Sequence, residues 1–189
     1  MGAFTVTRPG GRARGSSVVA VALIGFLLLG ACGPPTGEDR TSAEAEIYAA
    51  VTRHLVEFDN TFGPNHRFAE VLVVNHLEPD AGDPLEPWGR STGLFSDDQL
   101  AAINTAIEDL APVRFIDSQW DYIREGELAP VIRNSAIITL APVEFDSEGA
   151  TVGANLWCGG ICGLWITYRV TDGPDGWTVT GPQGTWSIS

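Results

Sequence analysis

The chain predicts an α+β fold, two helices packed on a mainly antiparallel, meandering curved sheet. Three observations carry this. Two stretches, opening at Thr41 and Ser96, space their apolar residues three and four apart, which puts them on one face of a helix. From Ile132 onward the apolar period drops to two, the period of a strand with one buried face. The turn signals in that second half are short, and short connections join antiparallel neighbours, whereas parallel ones need a long crossover.

Taken in order, the first element is a leader. Residues 18–29 form an apolar run behind Arg8, Arg12 and Arg14, too short for the roughly twenty residues that a helix needs to cross a bilayer. With its basic flank it reads as a signal peptide over residues 1–31, and the unpaired arginines favour general secretory export over the twin-arginine route. Gly30 and Ala31 directly before Cys32 resemble the bacterial lipobox. That resemblance implies lipidation of the Cys32 thiol, cleavage before it, and a protein held at the cell membrane on its extracytoplasmic face. Two or more acyl chains anchor a protein stably where one does not. Residues 32–42 follow as the lipidated N-terminus and a flexible tether, rich in Gly and Pro, and residues 43–189 as a single α+β globular domain.

Inside the domain, Thr41-Ser-Ala-Glu44 has the pattern of a capping box, and Ile47, Val51, Leu55 and Phe58 form the apolar stripe of a first helix. Asp59-Asn60 and Gly63-Pro64 end it. The β-branched run 68–74 reads as a strand buried on both faces, and 77–93 as a long acidic loop. Ser96-Asp-Asp-Gln99 caps a second helix carrying Leu100, Ile103, Ile107 and Leu110, stopped by Pro112 ahead of a short strand at 113–116. Residues 120–126 are ambiguous. Strands follow at 132–141, 150–158, 162–171, 176–181 and 185–188. A cystatin-like or nuclear-transport-factor-like cone is the architectural analogy, and it licenses no function.

Charge excludes one class of partner. All 24 acidic residues but only eight of the eleven arginines follow Cys32, so the exported chain carries 8 − 24 = −16. It repels phosphate backbones and anionic headgroups, which argues against nucleic acid and leaves the lipid as the membrane contact. The chain has no lysine.

Cys158 and Cys162 lie between two predicted strands of an exported chain, where a cross-strand disulfide is the first reading and a thiol-redox pair the second. The redox reading lacks the Cys-x-x-Cys spacing at a helix start that lowers a thiol pKa. The segment 157–168 with 176–180 resembles a Cys-Gly-Gly-x-Cys-Gly hairpin of uncharacterised secreted and lipid-anchored bacterial (actinobacterial-like) proteins, a resemblance that implies no activity. Gly89-Arg-Ser-Thr-Gly93 fits the Gly-x-Ser-x-Gly pattern of serine hydrolases, but no apolar strand precedes Ser91 and all three histidines come before it. His66 and His76 flank the first strand, roughly 30 Å apart at about 3.3 Å per residue, too far to share a metal. No metal site and no cofactor is expected. Four of six tryptophans, Trp157, Trp165, Trp177 and Trp186, fall in the final strands. They form either a second small core under the first helix or the wall of a ligand groove, and Trp165 with Arg169, on one strand face, are the candidate contacts for a ligand or partner. The leading expectation is a non-catalytic envelope binding domain for an unknown protein or small molecule; a small hydrolase and a thiol-redox protein are the alternatives.

Overall fold

The computed structural model describes residues 37–86, 90–124, 126 and 128–189. The expected signal peptide and Cys32 lie outside them. Helix α1 (Glu38–Glu57) is followed by β1 (Glu70–Leu77), β2 (Gly93–Leu94), α2 (Asp97–Ile107), β3 (Val113–Ile116), a 3₁₀ turn (Gln119–Tyr122) and the short pair β4 (Ile123–Arg124) and β5 (Ala129–Pro130). The second half is β6 (Ser135–Leu140), β7 (Glu144–Asp146), β8 (Gly149–Gly159), β9 (Cys162–Gly173), β10 (Gly176–Pro182) and β11 (Ser187–Ile188). Two helices thus pack on a mostly antiparallel sheet, and the α+β class expected from the periodicities holds.

The main sheet runs β10-β9-β8-β6-β1-β2, with β11 on the same edge of β9 as β10, β7 on β8, and β3 on β1. It is open and does not curl into the cone of the analogy. From β6 to β10 the pairing is antiparallel, as short turns dictate, but β1 pairs in parallel with both β3 and β6. The first of these pairs uses α2 as its crossover. Residues 117–134 then carry the chain from β3 past β1 to β6, and their 3₁₀ turn and two-residue strands are too short to leave a periodic signal.

One layer of core lies between helices and sheet. Ile47, Tyr48, Val51 and Leu55 of α1 and Ile103 and Ile107 of α2 meet Val71, Val73, Ile138, Ala154, Leu156 and Tyr168, all within 4% of full burial. The Tyr48 ring stands edge-on to Phe95 with centroids 5.0 Å apart. Alternate residues of the same strands face the other way. Leu72, Val74, Ile116, Ile137 and Trp157 form a second cluster under Tyr122, Ile123 and Ile132. The strand at 70–77 is therefore buried on both faces as its composition required, and the second small core exists, but on the sheet face opposite the first helix.

The helix starts differ instructively. α2 carries the expected capping box, with Ser96 Oγ accepting from Gln99 N and Gln99 Oε1 from Ser96 N. α1 begins at Glu38, three residues before Thr41, so residues 38–42 are helix rather than tether, and no side chain caps it. Glu38 and Asp39 favour the positive helix end, and the Glu44 carboxylate is held by Arg40 at 3.0 Å and Gln99 at 3.3 Å instead of returning to Thr41. Arg53 then ties the helices together, donating to Ala106 O at 2.7 Å and to Asp109 Oδ1 at 2.8 Å.

Loop 78–86 closes the sheet face opposite the helices beside the second cluster. Gly82 N donates to the buried Asn155 Oδ1 at 2.7 Å, and the Ala81 carbonyl rests on Gly153, where any Cβ would run into that oxygen. Gly153→Ala should therefore cost at least about 2 kcal/mol by overpacking. A fall in the urea midpoint of unfolding with unchanged slope checks it.

Candidate functional site

The turn after α1 builds the site. Asn60, fully buried, clasps it from inside: Nδ2 donates to Val56 O at 2.7 Å and to Gly63 O at 3.2 Å, and Oδ1 accepts from Phe62 N at 3.0 Å. Asn uses its short amide to replace backbone partners in this way, which makes it a turn residue. With Thr61 in the left-handed region at φ 66°, the chain folds back on itself, Thr61 Oγ1 comes within 3.4 Å of Cys162 Sγ, and Phe58 and Phe62 are left 52% and 58% exposed.

Beneath this turn runs a groove of about 330 Å³, lined by Phe58, Asp59 and Thr61 of the turn, Leu164 and Ile166 of β9, and Pro182, Trp186 and Ile188 of the last strands. Most of its wall is apolar. Trp186 and Ile188 are half exposed, at 49% and 54%, so that with Phe58 and Phe62 four large apolar side chains stand exposed around the groove and its turn.

Asp59 is the ionisable residue among the lining. Its Oδ2 accepts from Tyr168 Oη at 2.7 Å and lies 3.3 Å from His54 Nε2, and the His54 ring stands edge-on to Tyr168 with centroids 5.4 Å apart. The hydrogen bond from His54, backed by the one from Tyr168, holds the Asp59 carboxyl below its ordinary range. Burial first, and the bond to Asp59 second, push the Tyr168 phenol far up. Asp59 is thus an anion at the groove with one oxygen tied down and Oδ1 facing no described partner.

The residues singled out from the sequence lie elsewhere. Cys158 and Cys162 are placed as a disulfide across the β8–β9 turn, Cα atoms 5.1 Å apart; so short a loop contributes only about 2 kcal/mol by chain entropy. Trp165 and Arg169 share the sheet face opposite the helices, as the alternation predicted, and both are partly exposed. The Trp165 ring lies over Gly163 and its Nε1 is buried, while Arg169 is bound by both oxygens of Asp146, Nη2 to Oδ1 at 2.7 Å. The four tryptophans are split: Trp157 in the second cluster, Trp165 beside it, Trp177 edge-on to Phe145 under α1, and Trp186 alone in the groove.

Ser91 is exposed in irregular backbone ahead of β2, and the Gly89 of its pattern lies outside the described residues. His66 packs between Phe62 and Phe68 with centroids 4.4 and 4.6 Å away, and His76 lies 3.4 Å from the buried Glu78. Among the described residues no group of three His, Cys, Asp or Glu converges to hold a metal, and no helix is long and apolar enough to cross a membrane. What sequence reasoning missed is the convergence of 58–63, 164–166 and 182–188. Asp59-Asn60 registered only as a helix stop, and nothing in residue spacing joins it to Trp186.

The Asp59–Tyr168 bond makes a two-sided pH prediction. A carboxyl lowered by folding stabilises above its unfolded pKa and loses that contribution as pH falls; a phenol raised by folding stabilises below its unfolded pKa and loses the contribution as pH rises. Tyr168→Phe should cost about 2 kcal/mol near neutrality, as for a hydrogen bond to a charged group. The gap between parent and variant should be widest between about pH 5 and 9 and narrow on both sides. Urea unfolding from pH 3 to 11 measures it; a gap independent of pH refutes the assignment.

The chain matches no protein-family model, no curated protein and no solved structure.

Proposed function

We propose that this chain is a cell-envelope lipoprotein, anchored through Cys32, whose domain is a non-catalytic binding module for a small apolar ligand or partner received in the groove between the 58–63 turn and β11. The observation that carries the binding half is the groove itself: about 330 Å³ with walls of Phe58, Leu164, Ile166, Trp186 and Ile188, within the size range of small-molecule sites and lined as they are, by apolar groups with a few fixed polar ones. The apolar run behind three arginines and the Gly30-Ala31-Cys32 sequence support the anchoring half.

Twenty residues at about 1.5 Å each make α1 roughly 30 Å long. The groove opens at its far end, beside the turn that follows Glu57, so a ligand enters about a helix length from Glu38.

Each half has its own test. Cys32→Ala should abolish lipid labelling and leave the precursor uncleaved; normal maturation and detergent partitioning of the variant refute the anchor. For the groove, 2-phenylethanol, a neutral apolar probe, should bind the full chain in lipid nanodiscs with a Kd in the millimolar range, as expected for about nine heavy atoms. Trp186→Ala should weaken it at least about threefold, since the indole forms one wall. Ligand-observed NMR against empty nanodiscs reads both, and unchanged binding by Trp186→Ala places the site elsewhere.

A further inference from the structure

We propose that the groove selects a small organic cation, a protonated amine carried on an apolar body, with the Asp59 carboxylate as its counter-ion and Trp186 and Phe58 as aromatic walls. This rests on the binding reading above and specifies its ligand. Three features carry it. Among the groove's lining residues Asp59 is the ionisable one, and no Arg or His joins it there. Its two hydrogen-bonding partners both engage Oδ2, so Oδ1 remains an acceptor, and the side chain is 38% exposed. An N⁺–H donor satisfies that oxygen with a charge-assisted bond, which is shorter and stronger than a neutral one.

Aromatic walls add to the same preference. Ring faces carry negative potential, and a cation within about 6 Å of a Trp or Phe centroid is attracted to it, most of all when water is excluded. An anion meets the reverse: a carboxylate of like charge and no basic side chain in the lining. The field of the whole domain has the same sign, with eight arginines against 24 carboxylates after Cys32, and this raises the local concentration of cations near the opening. Tyr168 and His54 fix the carboxylate from behind, so its direction is set before the ligand arrives. The groove's modest volume suits a free small molecule rather than a length of polypeptide.

Three probes of one shape separate these contributions: 2-phenylethylammonium, 2-phenylethanol and phenylacetate, each titrated by ligand-observed NMR into the full chain in nanodiscs at pH 7. The ammonium should bind at least about tenfold more tightly than the alcohol, and phenylacetate more weakly than either. Asp59→Asn keeps an acceptor for Tyr168 and should bring ammonium and alcohol within about twofold of each other. Asp175→Asn, an exposed carboxylate in the β9–β10 turn, should leave the preference intact and so separates the Asp59 contact from bulk charge. Ile188→Arg, a change at a half-exposed groove position, should weaken the ammonium at least about tenfold without disturbing the fold, and serves if Asp59→Asn is unstable. Equal binding of ammonium and alcohol by the parent chain overturns the cation inference and leaves the apolar groove standing. So does a preference that survives Asp59→Asn. Binding of none of the three overturns both readings.

Discussion

The structure depends on how far α1 reaches along β9. The buried stripe Ile47, Tyr48, Val51 and Leu55 pins the helix against the sheet, running opposite to β9: Glu46 lies near Gly176, whose partner is Gly173, and His54 lies against Tyr168. The helix ends at Glu57, whereas β9 begins six residues before Tyr168, about 20 Å of strand at 3.3 Å per residue. That overhang needs a cover on its apolar face. The 58–63 turn and β11 supply one that is incomplete, and the groove is the remaining gap.

Polar groups decide the shape of that cover. A turn folded back over an apolar strand buries backbone that must find partners, and Asn60 provides them from a fully buried position. Burying Tyr168 in the same region requires an acceptor for its hydroxyl, and Asp59 is that acceptor. The carboxylate is thus at the groove first for a structural reason, and its second oxygen gives the apolar surface a chemical preference. A groove walled by aliphatic side chains alone would discriminate only by shape.

The two faces of the sheet have different fates. Opposite the helices, residues 117–134 cover β1, β3 and β6, loop 78–86 settles on Gly153, and Asp146 neutralises Arg169. Each engages a position that alternation alone marks as outward-facing, and Trp165 on the same face folds its ring over Gly163. On the helix face, among the described residues, α1, α2, the 58–63 turn and β11 supply the cover, and the groove stays open beside the turn.

Much of the fold was legible in the chain. The strands β6 and β8 to β11, the helix capped at Ser96, the doubly buried run in β1 and the cross-strand cysteine pair all follow from period, turn residues and local spacing, because each of these is fixed within a dozen residues of sequence; the three-residue β7 is too short to leave such a signal. The Thr41 pattern puts the start of α1 four residues late, since it competes with helix-favouring charges before it. The parallel pairing of β1 with β3 and β6, the side on which the second core forms, and the meeting of Asp59, Ile166 and Trp186 were settled only by tertiary structure. Those contacts join segments up to 127 positions apart, and their partners are chosen by which surfaces remain uncovered once the helices have docked, a property that no local pattern encodes.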